Sequence, residues 1–184
     1  MRGKTIPNPV YTIGHSTRSI EEFVQLLRFG NVQQVVDVRS IPRSRTNPQY
    51  NLDALPETLA RWQIRHTIIA ELGGRRSRQK DVAADVNGFW TNQSFHNYAD
   101  YAMSPTFRQG LDRLMAISAE AHCAIMCSEG VWWRCHRRII ADYLLAAGWT
   151  VFHLMGTDKA EAAKMTPAAV SGNELLTYPK PENA

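Results

Sequence analysis

Cysteine is scarce in this chain: three residues, Cys123, Cys127 and Cys135, among 184. An odd count at this spacing argues against a disulfide scaffold. In a reducing compartment, clustered Cys and His more often mean chemistry or metal than cross-linking. Long apolar runs are missing. Nothing approaches the roughly 18 consecutive residues that a membrane helix needs, so no membrane association is expected. The opening "MRGKTIPNPVYTIGHS" lacks an apolar h-region, which argues against a signal peptide and for a cytoplasmic protein. Internal repeats and low-complexity tracts are absent as well, and the length suits one domain with a sizeable core. Lysine is also sparse, with 5 residues against 16 arginines, within a mild net charge of +4. The arginines gather at 39, 43 and 45, at 75, 76 and 78, and at 134, 137 and 138. Arginine is the preferred fork for carboxylate, phosphate or a nucleic-acid backbone, although any one cluster could equally be solvated surface.

What is present alternates between short apolar runs and amphipathic stretches. "VYTIG" (10–14) reads as a strand. In the segment that follows, Ser16 or Ser19 caps a helix, with Glu22 three after Ser19 as in a capping box. Its apolar stripe is Ile20, Phe23, Leu26 and Leu27, and Gly30 stops it. "QVVDVRS" (34–40) is a second strand, 41–51 a loop with two prolines, and 52–62 a short helix. "IRHTIIA" (64–70) is a third strand, followed by a long polar loop over 71–96. Loops of that length inside one domain are usually functional or mobile. Ser104-Pro105 opens a helix to residue 120. "HCAIMC" (122–127) is a fourth strand, 135–148 a helix, and "TVFHLM" (150–155) a fifth strand. This order predicts an α/β fold, a three-layer sandwich around a mostly parallel sheet of about five strands. The chain reads as a single domain over 1–184, with its core at about 10–155 and a weakly structured tail over 156–184.

Open parallel sheets bind ligands beyond the carboxyl ends of their strands. Those ends carry His15 and Ser16; Asp37, Arg39 and Ser40; Glu71, Gly73, Gly74, Arg75 and Arg76; and Cys127, Ser128 and Glu129; the fifth strand holds His153. The unusual polar groups are therefore expected on one rim. The loop from Cys127 to Cys135 joins a strand to a helix N-terminus, where unpaired N–H groups favour an anion or a thiolate. Either cysteine could be the activated thiol. Arg134 and Arg137 could hold an anion, and Glu129, His136, His15 or His153 could move protons. Cys123, alone in a strand, is better read as packing. Adjacent Trp132 and Trp133 cannot both point inward. Asp37 must be paired inside its apolar strand, and Arg39 is the obvious partner.

The stretches "TIGHSTRSIEEFVQLL", "VVDVRSIPRS", "ELGGRR", "YADYAMSPTFRQGLDRL" and "CSEGVWWRCHRRIIADYL" followed by "VFHL" resemble the domain of unknown function 488 family, from about Val10 to Met155. The resemblance implies a small α/β protein whose motif suggests an enzyme of no settled reaction. Its signature residues fall here on His15, Ser16, Asp37, Arg39, Gly73, Gly74, Cys127, Glu129, Cys135, His136 and Arg137. More weakly, "VVDVRS" and "AIMCSEG…R…IIADYLLAAGW" resemble rhodaneses, in which a strand-end Cys is cradled by a loop ending in a helix. Arg134 comes one residue too late for a phosphatase Cys-x5-Arg loop. That leaves sulfur transfer or redox work open.

Three readings follow. The first is a thiol-dependent enzyme for a small anionic substrate, with Cys127 as nucleophile or persulfide carrier, Cys135 as second thiol, and Glu129, His136 and His15 handling protons. Arg134, Arg137, Arg39, Ser16, Gly73, Gly74 and Arg75 form its anion-binding rim. No cofactor is required by it. The second is a zinc or iron site built from Cys127, Cys135 and His136, with His15 or His153. The third is a nucleic-acid module using arginine-rich loops with Trp62, Trp90, Trp132 and Trp133. The oligomeric state is not legible in the sequence.

Overall fold

The computed structural model describes residues 7–182. The first six residues of the N-terminal stretch and the last two of the tail lie outside that range. Strands β1 (Val10–Gly14), β2 (Gln34–Asp37), β3 (Arg65–Ile68), β4 (Cys123–Cys127), β5 (Val151–Gly156) and β6 (Lys159–Ala162) form one sheet in the order β3-β2-β4-β1-β5-β6. The first five are parallel to their neighbours, and β6 runs antiparallel along the β5 edge. The fold is thus the expected α/β sandwich, with six strands instead of about five.

Helices α1 (Ile20–Phe29) and α2 (Leu55–Ala60) cover one face of the sheet. Helices α3 (Gln93–Tyr101), α4 (Pro105–Glu120) and α5 (Arg137–Ala146) cover the other. Side chains alternate across a strand, and β4 divides its residues accordingly. Ala124 and Met126 join the cluster under α1, whereas Cys123, Ile125 and Cys127 join the cluster under α3, α4 and α5. That alternation aims Cys127 at the helix that follows it. All five residues of β4 are buried, as expected of a central parallel strand.

Local chemistry fixes the helix starts. Ser19 and Glu22 make a reciprocal capping box on α1. Ser104 caps α4 at Phe107 N–H, with Pro105 in its first turn. Helix α3 was not legible: "QSFHNYADY" has few apolar residues, and its start is set by Asn92 accepting from Ser94 and Phe95 N–H. The 71–96 segment is therefore not all loop.

The tail is also more built than its sequence suggests. Beyond β6, strands β7 (Val170–Gly172) and β8 (Leu175–Thr177) form a hairpin, and Leu176 and Tyr178 are buried against the α5 layer. Isolated buried residues in a polar segment leave no periodic pattern, so nothing in the sequence marks them.

Candidate functional site

The β1 and β4 tips are locked together where the chemistry begins. Gly14 pairs with Cys127, and His15 and Ser16 N–H groups donate to the Cys127 and Ser128 carbonyls at 2.9 and 3.0 Å. A side chain at Gly14 would collide with the Glu129 carbonyl, so glycine lets the loop after β4 fold back over β1. That loop makes a 3-10 turn at Trp132–Arg134, passes Cys135 in extended conformation and enters α5 through His136.

The loop closes on a pair of sulfurs. Cys127 Sγ and Cys135 Sγ are 2.7 Å apart, both thiols free and both residues buried. Between them and the core lies Arg137, only 1% exposed. Its Nε donates to Cys127 Sγ at 3.0 Å and to Cys135 Sγ at 3.3 Å. Its Nη1 donates to Thr12 Oγ1 at 3.2 Å and its Nη2 to the Glu129 carbonyl at 2.6 Å. No carboxylate touches this buried guanidinium among the described residues. A buried cation demands a negative partner, and the atoms in position to supply it are the two sulfurs.

The negative charge settles on Cys135. Burial pushes its thiol up, but the hydrogen bond from Cys127 S–H and the neighbouring His136 and Arg137 outweigh burial and hold it well below the usual thiol range. Arg137 backbone N–H, in the first turn of α5, also faces Cys135 Sγ at 3.5 Å. Cys127 is driven the other way, first by burial and then by the thiol beside it. It keeps its proton. His136 Nε2–H donates to the Val38 carbonyl at 2.9 Å, which leaves Nδ1 facing Cys135 Sγ at 3.5 Å. Gly74 lies flat against this ring, where any side chain would strike it, and Tyr98 holds the ring edge-on at 5.0 Å.

Behind Arg137 runs a second line of polar groups. Thr12 and His153 sit opposite each other on β1 and β5. Thr12 Oγ1 accepts from Arg137, so its own hydrogen points to His153 Nδ1, 2.7 Å away. Trp132 stacks on His153 at 4.4 Å and 6°, while Trp133 stays exposed. Burial first, then Arg137, lowers the His153 pKa to about 4.

Beside the thiols, Asp37 is wholly buried and accepts Arg39 through both carboxylate oxygens, at 2.9 and 2.7 Å. It also accepts from His66 at 3.1 Å. Burial pushes its carboxyl up, but the hydrogen bonds from His66 and Arg39 win and leave it below the usual carboxylate value. His15 Nδ1–H donates to the Ser16 carbonyl at 2.9 Å and the ring stacks on Tyr50 at 4.2 Å. Burial, with Arg39 nearby, lowers its pKa. His15 thus offers Nε2 as a neutral acceptor toward Arg39 Nη1, 3.5 Å away.

These groups border an open cavity of about 780 Å³. The structure brings to it His15, Arg39, Gly74, Arg75, Cys127, Glu129, Arg134, Cys135 and His136. Arg137 lies beneath its floor with its guanidinium spent on sulfur, hydroxyl and carbonyl. Ser16 and Gly73 are not on its wall. Ser16 adopts positive φ beside Gly130, and Gly73 packs on Ser40. Cys123 is remote, at the far end of β4, with its thiol on the Ala121 carbonyl. Of the tryptophans, Trp90 is buried, Trp132 covers His153 and Trp62 carries Arg28. For the metal reading, no group of three or more His, Cys, Asp or Glu is arranged to hold an ion among the described residues. Sequence reasoning missed Thr12, His66, Tyr50 and Tyr98 as parts of this site. The first two were signalled by being polar within apolar strands.

Neither a curated protein nor a solved structure matches the chain. The family model described as "Domain of unknown function DUF488" matches residues 19–144. That span holds the whole Cys127–Arg137 loop but leaves out Thr12, His15 and His153. It covers more than half of the sequence, and the chain belongs to this family of unknown function.

Proposed function

We propose that this chain is a dithiol enzyme that reduces, or takes sulfur from, a small anionic substrate carrying a disulfide or sulfane sulfur. The observation that carries the reading is the buried Arg137 guanidinium bonded to two adjacent free sulfurs at the floor of an open cavity. Cys135 is the nucleophile and Cys127 the resolving thiol, the reverse of the order suggested by the sequence. The reversal rests on the donors that converge on Cys135: the Arg137 side chain and backbone N–H, and Cys127 S–H.

In the first step Cys135 thiolate attacks the substrate sulfur. A Cys135 S–S bond forms, the substrate S–S bond breaks, and the leaving thiolate takes the electron pair. In the second step Cys127, 2.7 Å from Cys135 Sγ, attacks that sulfur and its proton passes to the departing substrate fragment. The Cys127–Cys135 disulfide forms, the bond from Cys135 Sγ to the substrate sulfur breaks, and the fragment departs as a thiol, or as hydrogen sulfide where a single sulfane sulfur was taken. The substrate has gained two electrons and the dithiol has lost two; two equivalents of a small external thiol return them and leave as their own disulfide. Arg137 neutralises negative charge on whichever sulfur bears it. The Asp37–Arg39–His15 array shapes the wall and takes no proton in either step.

Iodoacetamide labelling followed by mass spectrometry across pH tests the reading. Cys135 is expected to label at pH 6.5 about tenfold faster than free cysteine, of which only about 1% is thiolate there. The gain stays below the thiolate ratio because a less basic thiolate is a weaker nucleophile. If neither Cys127 nor Cys135 outpaces free cysteine near neutral pH, the dithiol reading is wrong.

A further inference from the structure

The arginines around the cavity divide into two sets. Arg39 is locked on Asp37, the Arg76 guanidinium donates to the Gly73 and Ala70 carbonyls over the Tyr101 ring, and Arg137 serves the sulfurs. Arg43, Arg75 and Arg134 also line the cavity, yet among the described residues no hydrogen bond or ion pair engages their guanidinium groups. They come from three different loops, after β2, β3 and β4, and all three are exposed. Among the described residues, Glu129 is the only carboxylate on the wall. Three uncommitted forks facing one space favour a ligand with more negative charge than one carboxylate carries, and a phosphate carries nearly two charges at neutral pH. The volume of about 780 Å³ is too large for one oxyanion and lies in the range of pockets for drug-sized ligands. Ser40, Ser44 and Ser77 add hydroxyls on the same wall.

We propose that Arg43, Arg75 and Arg134 form a phosphate subsite, and that the substrate is a phosphorylated small molecule of about nucleotide size with its sulfur end reaching Cys135. The assignment of the substrate's sulfur end rests on the dithiol reading; the phosphate subsite does not.

Calorimetric titration with inorganic pyrophosphate, and separately with inorganic phosphate, tests the subsite on the full chain. Pyrophosphate is expected to bind about tenfold more tightly than phosphate, because it engages forks from more than one loop. It is also expected to slow iodoacetamide labelling of Cys135 by filling the cavity above the thiols. The triple variant Arg43→Gln, Arg75→Gln and Arg134→Gln should lose about tenfold or more in pyrophosphate affinity, with a melting curve confirming that it is folded. Absence of pyrophosphate binding by the wild-type chain overturns the subsite even if the variant does not fold. So does binding that survives in a folded triple variant. Tighter binding of a single-stranded oligonucleotide, with no protection of Cys135, overturns the small-molecule substrate. Unreactive thiols in a chain that still binds pyrophosphate defeat the dithiol reading and leave the subsite standing.

Discussion

At the scale of single residues, Arg137 decides the chemistry. A hydrogen bond to a charged group contributes about 1.5–3 kcal/mol, which corresponds to one to two pKa units on the sulfur that receives it. Arg137→Met removes that contribution while keeping a long apolar stem in place. The Cys135 labelling midpoint should then rise toward the ordinary thiol value of about 8.5, and labelling at neutral pH should fall about tenfold. Arg137→Lys keeps the charge without the fork that reaches Thr12 and the Glu129 carbonyl, and should restore part of the loss. A midpoint that stays put in Arg137→Met would mean the guanidinium does not hold the thiolate. The sequence placed Arg137 in the right loop but read it as a substrate anchor. Burial of a guanidinium cannot be seen in a run such as "RCHRR", because the charge pattern of that run is the same whether the side chain points to solvent or beneath the thiols.

At the scale of elements, the strand ends were legible and the links between strands were not. Apolar runs at β1, β2, β4 and β5 fixed their order along the chain, and parallel pairing put their carboxyl ends on one edge. Strand β6, "KAEA", is exposed throughout, and its alternation of charged residues with alanine is too short and too weakly apolar to mark a strand. The Thr12–His153 link joins residues 141 positions apart in the chain, which no local pattern encodes. It has a measurable consequence. The folded pKa of His153 lies near 4, below its ordinary 6.5. Between those values the unfolded chain binds the proton and the folded chain does not, so stability rises with pH across that window. The contribution is complete above pH 6.5 and is lost as pH falls through 6.5 toward 4. A shift of that size corresponds to about 3 kcal/mol at most. His153→Asn keeps an acceptor for Thr12 and removes the titration. Urea unfolding of both proteins from neutral pH down to pH 4 should therefore give a flatter profile for the variant. Parallel profiles would show that His153 is not held neutral by the fold.

At the scale of the whole molecule, the C-terminal segment closes the layer that carries the site. Tyr178 is buried 36 positions beyond Asp142 of α5, and its hydroxyl donates to the Asp142 carboxylate at 2.9 Å. Thr166 N–H donates to the other carboxylate oxygen, also at 2.9 Å. The Tyr178 backbone N–H donates to Asn87, whose amide in turn donates to Asp100 of α3. One residue of a tail that reads as loose thus ties α5 to α3, and α5 carries Cys135 and His136 at its N-terminal end. Burial raises the Asp142 carboxyl above its usual value even with these donors in place. Tyr178→Phe deletes one donor and leaves the aromatic packing against Trp90 intact. Leaving a buried acceptor short of a partner costs about 1–3 kcal/mol. Chemical denaturation at neutral pH should show a loss of that size, and smaller at acid pH, where the protonated carboxyl no longer needs the donor. Cys135 labelling in the folded variant should be unchanged, because among the described residues no hydrogen bond links Tyr178 or Asp142 to the thiols or to Arg137. A loss below a few tenths of a kcal/mol would mean that the tail packs on the domain without bracing it.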